Sequence, residues 1–326
     1  MRMPGRKFVR QALRPLSKAL FPGAIVIGYH RVADSEWDPL GLTVKPDNFE
    51  SQLDILKEQR DIVTVGELAL RHAAGEPLER YAAVTFDDGY SDFADTVVPI
   101  IEAHAIPATV FVTTGAIGKS FWWDEVARLL TPNGQAAPTL QILHNGGREP
   151  WLFSDLDQSG KRATTAQFIC HGMACADPHD IRSVIGELGA WSGASGSAEP
   201  GSGPMTGAEL RSVARHPLVE LGAHTVSHGC LALLEREAQE TEIGQSKAAL
   251  ETLRGTAVSV FSYPNGSFSD TTRELVEELG FRCACASIEG AFSRRTDPYR
   301  IPRIWAPDAA GLKFRRWLGN WVAGTR

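Results

Sequence analysis

No stretch of this 326-residue chain has the uninterrupted apolar length needed to cross a bilayer, which argues against a membrane-spanning helix. An excess of basic charge is missing as well. Thirty-three Lys and Arg stand against 39 Asp and Glu, a net charge of −6, so no global field favours a nucleic-acid partner. Cysteine is scarce: Cys170, Cys175, Cys230, Cys283 and Cys285 form an odd, irregular set with no CxxC pair and no disulfide framework. A reducing compartment fits such a set best. Cys283 and Cys285 alternate with Arg282 and Ala284 in an apparent strand, as core-facing thiols rather than ligands. The opening MRMPGRKFVRQALRPLSKALFPG lacks a long apolar core and a small-residue cleavage site, unlike a typical signal peptide. Internal repeats are absent.

What is present is an ordinary globular composition, 43% hydrophobic and 22% charged, in a chain long enough to bury a large core. Buried strands are expected at 24–30, 82–86, 107–113, 219–224, 257–264 and 281–287, with amphipathic helices at 47–60, 90–105, 235–254 and 270–280. This alternation argues for a parallel α/β sheet or barrel. Residues 118–205 break the rhythm. They contain FWWDEVARLL, helical stretches near 160–172 and 178–191, and a linker-like GASGSAEPGSGP, and read as a largely helical insertion or cap.

Both ends carry basic residues among apolar ones. Arg2, Arg6, Lys7, Arg10, Arg14 and Lys18 are interleaved with Phe8, Leu13, Leu16 and Leu20; Lys313, Arg315 and Arg316 stand among Phe314, Trp317 and Trp321. Such segments suit an anionic membrane face. Solvated tails, or packing on the domain, remain the other reading, and Pro15 interrupts a continuous helix.

The run AVTFDDGYSDF (83–93) ends an apolar strand in two adjacent carboxylates, Asp87 and Asp88. By itself it reads most economically as a strand closing in an Asp-Gly turn. In parallel α/β folds, however, sites gather where strands end. The polar residues at the other strand ends are His30, then His224 and His228 in GAHTVSH, then Pro264-Asn265-Gly266. Two histidines four apart plus a carboxylate form a common set for a catalytic divalent metal with an open position.

TFDDG, then HTVSH, then a PxG element resemble the polysaccharide deacetylases, the nodulation-factor deacetylase homology domain of carbohydrate esterase family 4. The likeness spans roughly 24–117 and 206–305. It implies a distorted (β/α) barrel and removal of N-acetyl groups from sugars by metal-assisted hydrolysis. Carried over by position, it makes Asp87 the general base and Asp88, His224 and His228 the metal ligands. The backbone N–H of Asn265 would hold the oxyanion, with Tyr263 and Pro264 beside it. Thr225 and Ser227 would fix the loop between the histidines. The family's arginine in the third motif is missing from VFSYPNG, and Arg300 or Arg303 of DPYRIPRI is expected to orient the base instead. A structural ion pair with Asp297 is the competing role for either. No histidine follows His228, so His30 of GYHRV, which resembles an early YH element in rearranged family members, is expected as general acid or site-lining residue.

The resulting division is a basic leader (1–22), a barrel (23–117 and 206–306), a cap (118–205) and a basic aromatic C-terminal segment (307–326). The expected cofactor is one divalent metal, zinc by default, with cobalt, nickel or manganese also suited to the ligand set. The expected substrate is an N-acetylated amino sugar in a polysaccharide, an oligosaccharide or a lipid-linked glycan. The expected place is the cytoplasm, at the inner membrane face. Two alternatives stand beside this reading: a deformylase or other C–N hydrolase on the same scaffold, and a non-catalytic carbohydrate-binding relative. The cap's Trp122, Trp123, Trp151 and Trp191 are expected either to shape acceptor choice or to pack in its core.

Overall fold

The computed structural model describes residues 23–132, 136–143, 150–193 and 203–322. The basic leader 1–22 and most of the 193–204 linker lie outside them. The chain begins with β1 (Ile25–Tyr29), β2 (Arg31–Val32), β3 (Thr43–Val44), α1 (Pro46–Gln59), β4 (Asp61–Ile62), α2 (Val65–Ala73) and β5 (Tyr81–Phe86). A π-helical turn at Phe93–Val97 leads into α3 (Val98–His104), followed by β6 (Ala108–Val112). The cap contains α4 (Trp122–Leu129), β7 (Leu140–Ile142), β8 (Trp151–Phe153), α5 (Ser159–Met173) and α6 (Pro178–Ser192). The chain then returns through α7 (Gly207–Val213), β9 (Val219–Ala223), α8 (Arg236–Arg254), β10 (Val260–Ser262), α9 (Asp270–Glu278), β11 (Cys283–Cys285), β12 (Ile304–Trp305) and α10 (Gly311–Val322).

The main sheet runs β11-β10-β9-β6-β5-β1-β12, with β4 beside the start of β5. Its pairings are parallel. The segment before β12 closes the circle: Ile301 bridges Cys285 of β11, and three residues on Ile304 pairs with Ile27 of β1. This is the distorted barrel expected. Its strands are buried on both faces because the two-residue side-chain period feeds two separate apolar clusters. Ile25, Ile27, Val84, Phe86, Val110 and Val112 join the large cluster under the helices. Val26, Ala83, Phe111, Val260, Cys283 and Cys285 form the inner one, where α2 contributes Val65, Leu68 and Ala69. Cys283 and Cys285 are therefore core thiols, as expected.

One expectation needs correction. Cys175 and Cys230 are joined by a disulfide across 55 residues, so the set is not one of free thiols, and the argument for a reducing compartment loses its basis. Irregular spacing conceals the pair because only the folded cap brings residue 175 to the loop after β9. The C-terminal segment, moreover, turns its apolar stripe inward. Phe314, Leu318 and Trp321 are buried in the outer core, and Arg315 pairs with Glu58 of α1 at 2.7 Å. Of the two readings of this segment, packing on the domain accounts for these three side chains.

The cap has a core of its own, built by Val126, Leu129, Ile142, Ile169, Val184 and Leu188, with Trp151 and Trp191 against it. Trp191 donates to the carbonyl of Thr139 at 2.8 Å. Trp151 and Trp191 thus serve the cap itself.

Candidate active site

The site grows from the end of β5. The two-residue period that places Ala83 in the inner cluster continues to Asp87, whose N–H extends the ladder to the Tyr29 carbonyl at 2.9 Å. In an extended chain Asp88 would face the opposite way. It does not, because its φ is 73° and that of Gly89 is 83°, a left-handed turn that brings both carboxylates into one cavity. Of the six non-glycine residues with positive φ among the described residues, Asp88, Thr225, His228 and Asn265 all belong to this site. Backbone strain is concentrated where the chemistry would be.

Asp87 is buried against Arg303, itself fully buried. Arg303 Nη1 donates to Oδ1 and Nη2 to Oδ2, both at 2.7 Å, and Nη2 also reaches Ser262 Oγ at 2.9 Å. Burial by itself would raise the Asp87 pKa; the Arg303 charge, then His224, outweigh it and hold the carboxyl well below the usual range. Of the two candidate arginines, Arg303 is therefore the one that fixes Asp87. Arg300 does not. It lies at the surface, bonded to Asp270 and 3.8 Å from Asp297, which is the structural ion pair that the sequence left open.

Asp88 Oδ1 lies 3.3 Å from His228 Nε2 and 3.6 Å from His224 Nε2. It is buried and has no hydrogen-bond partner among the described residues. His224 Nδ1 is 2.8 Å from the Ser262 carbonyl, which only accepts, so the proton sits on Nδ1 and the Nε2 lone pair faces Asp88. Burial pushes the His224 pKa down to about 4, which keeps the imidazole neutral. An orphaned carboxylate oxygen between two imidazole nitrogens fits a divalent cation, and these three residues are close enough to share one. The loop between the histidines is pinned from α8: Glu242 accepts from the N–H groups of Val226 and Ser227 at 3.0 and 2.8 Å and from Ser227 Oγ at 2.9 Å. Thr225 Oγ1 accepts from the His228 N–H at 3.0 Å. Thr225 and Ser227 are loop-fixing residues, as expected.

His30 lines the same cavity, its ring stacked on Trp305 at 4.5 Å. Trp305 in turn lies 4.8 Å from the Arg303 guanidinium. It lies over Gly28, where any Cβ would approach the indole to 2.7 Å, so a side chain here would displace Trp305. Asn265 lines the cavity in a left-handed turn; Tyr263 and Pro264 do not line it. The Tyr263 hydroxyl instead donates to the Tyr299 carbonyl at 3.0 Å, away from the carboxylates.

Sequence reasoning missed Ser262 and Trp305, although each sits at a strand end, and it missed Glu242. It also missed Leu40, Leu42, Cys170 and Ala174 in the wall of a cavity of about 300 Å³, which Trp122 and Trp123, two of the four cap tryptophans named in the sequence, line as well. Trp123 packs 4.7 Å from His228 and donates to Tyr90 Oη at 2.8 Å.

A family model described as polysaccharide deacetylase matches residues 74–135 and 184–284, half of the chain. Poly-beta-1,6-N-acetyl-D-glucosamine N-deacetylase of Escherichia coli (strain K12) is 33% identical over 88 residues, 26% of this chain and 13% of that protein. YxkH of Bacillus subtilis (strain 168) is 24% identical over 115 residues, 35% of this chain and 41% of its own length. The chain thus matches less than half of the length of each of these relatives. Among solved structures, Streptococcus pyogenes deacetylase PplD in complex with acetate superposes with a TM-score of 0.58 at 17% identity, covering 92% of this chain and 98% of that one. IcaB from Ammonifex degensii gives 0.58 at 16% identity over 93% and 97%. At such identities the likeness is one of fold.

Proposed function

Because the chain belongs to the polysaccharide deacetylase family, we propose that it is a metal-dependent hydrolase that removes the N-acetyl group from an amino sugar in a polysaccharide, an oligosaccharide or a lipid-linked glycan. One observation carries the reading: the orphaned Asp88 Oδ1 between two imidazole nitrogens shares a cavity with a second carboxylate locked by an arginine. A divalent cation held by Asp88, His224 and His228, zinc by default, would supply Lewis-acid polarisation of the amide carbonyl and acidify a bound water.

The chain's own residues do the rest. Asp87, kept ionised and aimed by Arg303 and Ser262, takes the proton of the attacking water. The Asn265 N–H, presented by the left-handed turn, donates to the oxygen that gains charge as the carbonyl carbon becomes tetrahedral. His30, held flat on Trp305, delivers a proton to the nitrogen as the C–N bond breaks, which releases acetate and a free amine. The cavity walls limit access of bulk water to the reacting atoms.

The test is acetate release from a panel of N-acetylated oligosaccharides, nucleotide sugars and lipid-linked sugars by metal-loaded protein. Release that a chelator abolishes, and that Asp87→Asn lowers about 10²–10⁴-fold, is expected. Near wild-type release by Asp87→Asn or by His224→Ala would sink the mechanism. For location, the Cys175–Cys230 bond favours an oxidising compartment over the cytoplasm. The oxidation state of that pair, trapped by alkylation in freshly lysed cells, tests this.

A further inference from the structure

The α5 helix ends at the cavity. Cys170 and Ala174, one turn apart on the same face, both line it, and the disulfide follows at Cys175. Cys170, Ala174 and Cys175 fall between the two stretches matched by the family model, outside the motifs it describes.

We propose that Cys170 and Ala174 determine how bulky an amino sugar the site admits, and that the Cys175–Cys230 bond holds them in position. This rests on the deacetylase reading. Three observations carry it. The cavity, about 300 Å³, is lined on the cap side by these two small side chains together with Trp122 and Trp123, so atoms added at Cys170 or Ala174 take space from the ligand. The wall is tied to the barrel in the right place: Cys230 is two residues past His228, and Asn265 Nδ2 donates to Cys230 Sγ at 3.7 Å. A single covalent link therefore joins the cap to the histidine loop, and a hydrogen bond adds the turn that presents Asn265. The cap also grips the facing loop, since Trp37 Nε1 donates to the Ala127 carbonyl at 2.8 Å and Gln167 Nε2 to that of Pro39 at 2.7 Å. The loop that carries Leu40 and Leu42 is thus tied to both α4 and α5. Burial, then Asp124, push the Cys170 thiol up to about 12, so it meets a ligand as a neutral, weakly polar surface.

Metal-loaded full-length protein is assayed with N-acetylglucosamine oligomers and with oligomers whose sugars carry a 3-O-lactyl ether, scoring the ratio of kcat/KM. Ala174→Leu is expected to shift this ratio against the bulkier sugar by about tenfold or more, through KM, and Cys170→Ala to shift it the other way. Reducing the disulfide with a dithiol, which yields two protein thiols and the cyclic disulfide of the reagent, should bring the ratio towards unity while bound metal per chain stays constant. Ratios equal to wild type in Ala174→Leu, in Cys170→Ala and after reduction would overturn the proposal. Should Ala174→Leu fail to fold, the other two arms decide. If the wild type releases no acetate from either oligomer, the deacetylase reading fails separately. Tryptophan-fluorescence titrations with both oligomers, compared among the same proteins, then test the wall without turnover.

Discussion

Asp87 is held by charge-assisted hydrogen bonds from both ends of a fork, and that arrangement has two measurable consequences. Arg303→Ala leaves a buried carboxylate unpaired and should destabilise the fold by about 3–5 kcal/mol in urea unfolding. Arg303→Lys keeps the charge but not the fork, so stability should recover partly while kcat stays low. The pH dependence follows from the depressed pKa of Asp87. The stabilisation is fully present above the unfolded value, roughly 4, and is lost as pH falls through the lower folded value. The unfolding midpoint of the wild type should thus drop more steeply below that pH than the midpoint of Asp87→Asn. Equal slopes would mean that the pair contributes nothing. Asp87, Asp88 and the two histidines were legible in the chain because each is a polar, chemically competent residue at the end of an apolar strand, in a short, specific spacing. Arg303 was legible only as one of two candidates, since both arginines sit in DPYRIPRI and nothing local distinguishes the one aimed inward.

The histidine loop depends on an element that no motif marks. Glu242, on α8, receives three hydrogen bonds from Val226 and Ser227, and without them the strained φ values at Thr225 and His228 lose their support. Glu242→Ala should weaken metal affinity about 10–100-fold in competition with a chromophoric chelator, with little change in the helical circular dichroism. Unchanged affinity would show that the loop holds itself. The longer strands and helices were readable from their periods. The two-residue strands β4 and β12 were not, because a period needs several residues to show, and β12 follows two prolines that argue against any strand. Yet β12 carries Trp305 and follows Arg303 directly, so the least legible strand supplies two neighbours of the site.

Taken together, barrel, cap and α10 are held by different means. The cap relies on its own core and on the disulfide, whose 55-residue span predicts about 4 kcal/mol of stabilisation in the chain-entropy model. Thermal unfolding with and without a dithiol measures it, and a midpoint indifferent to reduction would count against any structural role. The α10 helix covers the barrel with Phe314 and Leu318, each worth about 1.5–3 kcal/mol when fully buried. Ending the chain at residue 310 should therefore lower the melting temperature and expose dye-binding apolar surface, whether or not membranes are present. Vesicle binding that follows α10 without loss of stability would restore the membrane reading of its stripe.

Composition, the strand and helix rhythm and the Asp-Asp and His-x-x-x-His pairs were already legible along the chain, because periodicity and the chemistry of a motif are local properties. The arginine that faces Asp87, the stacking of His30 on Trp305, the bond between Cys175 and Cys230 and the wall at Cys170 and Ala174 are different in kind. Each joins residues tens to hundreds of positions apart, and each depends on strand order, on the left-handed turns and on where the cap lands. Such contacts leave no local trace, because the free energy that selects them arises only when the barrel closes.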